Sequence, residues 1–193
     1  MLLDDRIFYK SYEIIGGEKF MAPAAPVYHG NIILDLAYLF KDYFKLHKNG
    51  RVFVDDVDVH LPDGNIFQPD LVVITGENLG IINWESAIYG VPDMVVEVLS
   101  KSTRRKDITV KKDAYEANGV KEYWIIDPLM KAVDVYLLRD GKYFLDDEYV
   151  LYSEKEKDLL TDEEKANIRT EIKVSIFEDC TVHLEDIFAW GNF

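Results

Sequence analysis

A single cysteine among 193 residues is the first constraint. Cys180 has no second cysteine with which to close a disulfide and no cysteine partners for a zinc site, so it reads as a small buried residue or an exposed spare thiol. Long apolar runs are also lacking. None approaches the ~20 residues a membrane span requires, and Met1 to Phe20 has no charged-then-apolar layout of a secretory signal. The expectation is a cytoplasmic chain with no membrane partner. The third shortage is positive charge: 22 Lys and Arg stand against 36 Asp and Glu, a net charge of -14. An acidic protein is repelled by a phosphate backbone, because nonspecific nucleic-acid affinity comes mainly from Lys and Arg contacts.

The distribution of charge softens that exclusion. Asp146-Asp147-Glu148, Glu154, Glu156, Asp158 and Asp162-Glu163-Glu164 gather acid near the C-terminal third. Lys101, Arg104, Arg105, Lys106, Lys111 and Lys112, in contrast, face only Asp107 between Ser100 and Lys112. A solvated helix face is one reading of that run and a phosphate-binding stretch is the other. Hydrophobic residues at 48% and aromatics at 13% suffice for one good core, so residues 1–193 are read as a single domain.

Tyr12 to Met21 predicts a hairpin, since Gly16-Gly17 supplies the positive φ angles of a two-residue turn. Ala22 to Pro26 is a proline-marked connector. From Tyr28 to about Lys48, apolar residues at Ile32, Ile33, Leu36, Ala37, Phe40 and Phe44 recur at helical spacing, with Asn49-Gly50 as the stop. His29 falls in the first turn of that helix, on its inward side. A lone inward His is more often a hydrogen-bonded core residue than a catalytic one.

Val52 to His60 reads as a strand and Pro62 to Asn65 as a turn into a second strand, Phe67 to Ile74, which carries Asp70. Asp56 and Asp58 share one face of the first strand and read as solvent-facing edge residues, or as extra acids near a site. Thr75 to Val91 is loop-like, either a lid or an irregular connector. Asp93 to Leu99 is short, Val-rich and apolar on both alternating faces, as a strand covered on both sides should be. Glu97 therefore requires an explanation, because a buried carboxylate must be neutral, paired or bound to a cation. If its strand neighbours that of Asp70, two carboxylates converge, and a divalent cation that favours oxygen ligands resolves their repulsion.

Ser100, Ser102 and Thr103 suit the start of the next helix, Arg104 to Asn118, which ends at Gly119. Ile108, Lys111, Ala114, Tyr115 and Asn118 share one side of it. Lys111 thus sits in the inward arc, with Asp107 four residues earlier as a surface ion-pair partner, or with a metal-bound water near Glu97 within its reach. Val120 to Asp127 is another strand, followed by a meander over Val133 to Leu138 and Tyr143 to Leu151. Ser153 to Asn167 is a charged stretch, Ile172 to Phe177 a last strand, and Leu184 to Phe188 a short closing helix. His47, His60 and His183 have no metal-ligand spacing and are given no role.

Gln68-Pro69-Asp70, Pro92 to Ser100 with Ser102-Thr103, Asp107 with Lys111 and Tyr115, and Gly119 to Pro128 form an ordered set that resembles the Uma-two family. Its members are restriction-endonuclease-like proteins of the PD-(D/E)xK nuclease superfamily. Tyr12 to Glu18, Pro26 to His29 and Leu184 to Phe188 also fit, so the likeness covers most of the chain. The resemblance implies an α/β fold with a restriction-endonuclease-like core: a mixed central β-sheet flanked by helices, with an N-terminal hairpin and a C-terminal β-meander.

Position by position, the resemblance makes Asp70 the acid of the Pro-Asp motif and Glu97 the second acid. Leu99 stands where the superfamily pattern has its lysine, and Lys111 matches the family's helix-borne lysine, a migrated residue reaching the same spot. Gln68 and His29 match further family positions and join the expected catalytic set. Lys101 replaces the family's usual proline. The implied function is metal-dependent endonucleolytic hydrolysis of DNA, with Asp70 and Glu97 holding Mg²⁺ (or Mn²⁺) and Lys111 assisting the attacking water. A nonenzymatic binding or assembly module, self-associating as a homodimer, and a hydrolase of small phosphoesters are the alternatives.

Overall fold

The computed structural model describes residues 12–21 and 25–189. The connector Ala22 to Pro26 lies partly outside them. The centre is a six-stranded mixed sheet in the order β11-β10-β9-β8-β6-β3, comprising β3 (Gly50–Val54), β6 (Leu71–Thr75), β8 (Met94–Val98), β9 (Glu122–Asp127), β10 (Ala132–Arg139) and β11 (Lys142–Val150). Only β8 and β9 run parallel within this sheet. A parallel pair needs a crossover, and here the crossover is the helical stretch of residues 104–118. Every residue of β8 is buried, as its two-sided apolar sequence requires.

Helix α1 (Val27–His47) turns Ile32, Ile33, Leu36, Phe40 and Phe44 onto one face of the sheet, where they meet Leu71, Val73, Met94, Val96 and Trp124. A hairpin of β12 (Glu171–Lys173) and β13 (Thr181–His183), with the short helix α6 (Leu184–Ile187), closes that layer. The opposite face carries Val72, Ile74, Val95 and Ile125 and packs on Tyr115 and Val120 of the crossover region. A second sheet, β2-β1-β5-β4-β7, lies over the same face through Val59, Phe67 and Ile88. It is built from the hairpin β1 (Tyr12–Ile15) and β2 (Glu18–Met21) with three two-residue strands, β4 (Val59–His60), β5 (Ile66–Phe67) and β7 (Ile88–Tyr89).

Several boundaries differ from the sequence reading. The strand expected over Val52 to His60 is broken: Asp55 and Asp56 take left-handed backbone angles (φ 30° and 52°), and β3 and β4 belong to different sheets. The strand expected over Phe67 to Ile74 divides in the same way. β5 pairs with β4, whereas β6 pairs with β3 and β8, leaving Asp70 at the crossing between sheets. The stop of α1 is Lys48, left-handed at φ 55°, and not Gly50. Gly50 instead opens β3 where the chain passes tightly under α1. A Cβ there would lie 2.6 Å from Phe44 Cε1 and 2.9 Å from the Ile74 carbonyl oxygen. Gly50→Ala is therefore expected to lower the unfolding free energy by roughly 1–3 kcal/mol. A shift of the urea midpoint at unchanged slope would register it.

The Ser153 to Asn167 stretch forms two short helices, α4 (Glu154–Lys157) and α5 (Asp162–Ala166). Each begins in a capping box, Ser153 with Glu156 and Thr161 with Glu164. The last expected strand, Ile172 to Phe177, stops at Lys173 and turns back into β13. Cys180 is buried and its thiol is pushed up to about 12, chiefly by burial, so it is an inert core residue. No helix among the described residues is long and apolar enough to cross a membrane.

Candidate active site

At one end of β6 and β8 a cleft of about 470 Å³ opens between the start of α1, the β1–β2 hairpin and the crossover helix. Asp70, Glu97, Lys111, His29 and Gln68, all singled out from the sequence, line it. So do Glu13, Asp55, Asp56 and Lys106. Nothing from the Thr75 to Val91 connector reaches it; that stretch forms a 3-10 turn over Gly76–Ile81 and strand β7.

The two acids converge because their strands are antiparallel neighbours. Leu71 pairs with Val96, so Asp70 and Glu97, one residue further out on each strand, fall at the same rung. Asp70 Oδ2 accepts the Val98 N–H at 2.6 Å and lies 3.2 Å from His29 Nε2. Glu97 is only 2% exposed. Its Oε1 accepts from Lys111 Nζ at 2.9 Å and from the Tyr115 hydroxyl at 3.0 Å. Burial drives the Glu97 carboxyl well above its ordinary range; Lys111 opposes this, and the charges of Asp107, Asp70 and Glu13 reinforce it.

Lys111 occupies a buried knot of acids. Its ammonium lies 2.6 Å from Glu13 Oε1, 2.9 Å from Glu97 Oε1 and 3.5 Å from Asp107 Oδ1. Burial alone would discharge it, but Glu97, then Glu13 and Asp107, outweigh the desolvation and raise its pKa. The side chain is thus a fixed cation and hydrogen-bond donor throughout the physiological pH range. Asp107, offered by the sequence as one candidate partner of Lys111 in a surface ion pair, is 1% exposed and faces inward.

The helix that carries these residues contains a π-helical turn. The crossover runs α2 (Arg104–Lys106), the π turn Asp107–Lys111 and α3 (Lys112–Asn118) without interruption. Asp107, Lys111 and Tyr115 follow one another at four-residue spacing and point inward, while one turn widened to an i→i+5 bond shifts the helix phase and leaves Ile108 and Val110 41% and 44% exposed. Ile108, read from the sequence as inward, is therefore corrected to an outward residue.

Asp56 and Asp58 read from the sequence as solvent-facing edge residues or as extra acids near a site. Asp56 is exposed and, with Asp55 at the break in the chain, lines the cleft, whereas Asp58 is half-buried and is not among the residues lining it. Asp58 Oδ1 accepts from Gln68 Nε2 at 2.7 Å, fixing the amide at the rim. Burial, then the charge of Asp70, raises the Asp55 carboxyl. For His29, burial disfavours the imidazolium, but the hydrogen bond and charge of Asp70, with that of Asp55, bring the net shift upward.

Glu13 is the residue that reading the sequence missed. Only its place on the same strand face as Ile15 hinted at an inward carboxylate, and nothing local could say which cation it would meet.

Among the described residues, no three His, Cys, Asp or Glu side chains are arranged to hold a metal ion. The donor chemistry nonetheless fits a hard cation bound by two carboxylates. Asp70 and Glu97 offer oxygen ligands on one cleft, and Mg²⁺ commonly takes one or two carboxylates and keeps water for the rest. The charge fits as well. Glu13, Asp55, Asp56, Asp70 and Glu97 line the cleft against the ammonium groups of Lys106 and Lys111, so carboxylates outnumber cations there.

An α/β fold with two acids at adjoining strand ends and a lysine behind them defines the class: a restriction-endonuclease-like domain. Residues 9–163 match the Uma2 family, described as "Putative restriction endonuclease", and the chain belongs to that family. Among solved structures, it is similar to a "putative nuclease belonging to DUF820" from Anabaena variabilis. That likeness has a TM-score of 0.64 at 18% identity, over 94% of this chain and 91% of the other, and shows a shared fold. No curated protein matches.

Proposed function

We propose that the protein is a Mg²⁺-dependent DNA endonuclease in which Asp70 and Glu97 hold the metal and Lys111 serves the reacting phosphate. The observation that carries this reading is the meeting of Asp70, Glu97 and Lys111 in one cleft, with Lys111 Nζ 2.9 Å from Glu97 Oε1. Bound there, Mg²⁺ would polarise a phosphodiester and lower the pKa of a water. Lys111, held as an ammonium, acts by donating a hydrogen bond and by offsetting charge that builds on the phosphate in the transition state. It cannot serve as the base.

His29 braces Asp70 through its Nε2 contact and sets the carboxylate's direction. Gln68, held by Asp58, supplies an amide at the rim. The first turn of α1 lines the same cleft and has no side-chain cap, so its N–H groups favour an anion there. Lys106 lines the cleft, and Lys101 and Arg105 lie exposed nearby, in no ion pair among the described residues. This local cation set lets a chain of net charge -14 approach a phosphate backbone.

The test joins binding to cleavage. Calorimetric titration of Mn²⁺ into the wild type and Glu97→Gln, followed by incubation of both with supercoiled plasmid, should show metal-dependent nicking by the wild type alone. Metal affinity in the variant should fall by more than the ~10–100-fold that outer-shell changes cost. A well-folded wild type that binds no Mn²⁺ would overturn the metal assignment and favour a nonenzymatic assembly module, with a homodimer as its expected form. The overall acidity favours one further reading, a small-phosphoester hydrolase. Turnover of a chromogenic phosphodiester with intact plasmid would select it.

A further inference from the structure

We propose that Glu13 is a positioning residue of the site: it clamps the π turn from the hairpin side and fixes the Lys111 ammonium against Glu97. The inference rests on the reading of Lys111 as the site lysine. It assigns a task to a carboxylate from an element the acid motifs do not include.

Glu13 is 7% exposed and stands on the inward face of β1. Its two oxygens contact two lysines of the crossover helix, Oε1 with Lys111 Nζ at 2.6 Å and Oε2 with Lys106 Nζ at 3.6 Å. Those lysines are five residues apart. On a regular α-helix they would diverge by about 140° at 3.6 residues per turn, too far for one carboxylate to meet both from one side. The π turn over Asp107–Lys111 supplies the extra residue that brings them to a common face. Glu13 and the π turn therefore depend on each other.

The contact with Lys111 is a close ion pair and not an aligned hydrogen bond, for Glu13 Oε1 is buried with no hydrogen-bond partner. Asp107 Oδ1 is in the same condition, 3.5 Å from the same ammonium. Glu97, in contrast, receives an aligned bond from Lys111. The geometry separates two tasks. Glu97 takes the directional bond, while Glu13 and Asp107 hold the cation by charge from the other sides and leave its position set by three points. The Lys106 stem extends over the Phe20 ring, with Nζ 4.8 Å from the ring centroid, so the far strand of the hairpin is tied to the same helix.

The expected consequence of Glu13→Gln is a lysine that is still present and still near Glu97, but no longer held. A readout independent of cleavage is the side-chain ¹⁵N signal of Lys111, assigned by its disappearance in Lys111→Met. In the wild type the buried ammonium should exchange its protons slowly. Glu13→Gln should shift the signal and speed exchange by tenfold or more, and Glu13→Asp should restore part of the protection if it places a carboxylate within reach. Plasmid nicking by Glu13→Gln should fall by roughly 10–100-fold in kcat with KM little changed. Thermal melts establish that each variant is folded. An unchanged Lys111 signal in folded Glu13→Gln, together with unchanged kcat, would overturn the clamp. Were the wild type to cut nothing while Glu13→Gln still released the Lys111 signal, the clamp would stand and the nuclease reading would fall.

Discussion

Asp70→Asn is expected to abolish metal-dependent nicking of plasmid, with a loss on the order of 10³-fold, while leaving the fold in place. The asparagine retains a side-chain oxygen that can accept the Val98 N–H, now bonded at 2.6 Å, so the join between β6 and β8 survives. What disappears is one of only two carboxylates that converge on the cleft from neighbouring strands. A neutral amide is a poor ligand for Mg²⁺ and neutralises none of its charge, and removal of one preorganised electrostatic group from a reacting centre commonly costs 10²–10³-fold. The measurement is single-turnover nicking in Mg²⁺, with a melt of the same sample. Activity within tenfold of wild type, in a variant that melts normally, would remove Asp70 from the proposed metal site.

Lys111→Met should have the largest effect on stability. The ammonium is the shared partner of Glu13, Glu97 and Asp107, all of them buried. Breaking a buried pair by removing one member costs about 3–5 kcal/mol, because the other charge is left uncompensated. For a chain of this size that corresponds to a fall in Tm of roughly 6–20 °C.

The loss should depend on pH, and the sign follows from the acids. Burial already raises the carboxyls of Glu97 and Asp107 above their ordinary range, and without Lys111 they rise further. A carboxyl whose folded pKa exceeds its unfolded one opposes folding above both values. The penalty fades as pH falls through the folded pKa. Melts of Lys111→Met should therefore approach those of wild type between neutrality and the usual carboxylate range. The pair Lys111→Met with Glu97→Met should recover part of the stability lost by the single change, as replacing both members of a buried pair commonly does. A single variant as stable as wild type at neutral pH would show that the acid knot does not depend on the lysine.

Much of this arrangement was legible in the residues. The two-sided apolar run around Glu97 marks a central strand and the proline before Asp70 the start of another; that they are neighbours is only a condition in the sequence, and the structure pairs Leu71 with Val96. The hairpin at Gly16-Gly17, the long first helix and the meander after Asp127 are likewise local patterns with local causes. What escaped was phase and distance. A periodicity of 3.6 places Ile108 beside Lys111 on the inside, and a single π turn rotates it outward. No spacing rule reveals that turn. Glu13 escaped for the same reason, since its partner is 98 positions away. The run from Val52 to His60 alternates well enough for a strand, yet Asp55 and Asp56 divide it, as two residues that tolerate left-handed angles better than most.

The lysine's position on a helix also bears on how such a site can change. Leu99, the residue just past the end of β8, is 5% exposed and belongs to an apolar cluster with Tyr115, Tyr123 and Ile125. A lysine at 99 would have to be desolvated within that cluster, whereas Lys111 reaches Glu97 from outside the sheet. The cation is thereby carried by the helix and its receiving acid by the sheet, and Tyr115 of the same helix, which packs on that face and donates to Glu97, ties the two together. A helix that replaced this one would have to bring both the ammonium and that packing to the same end of β8.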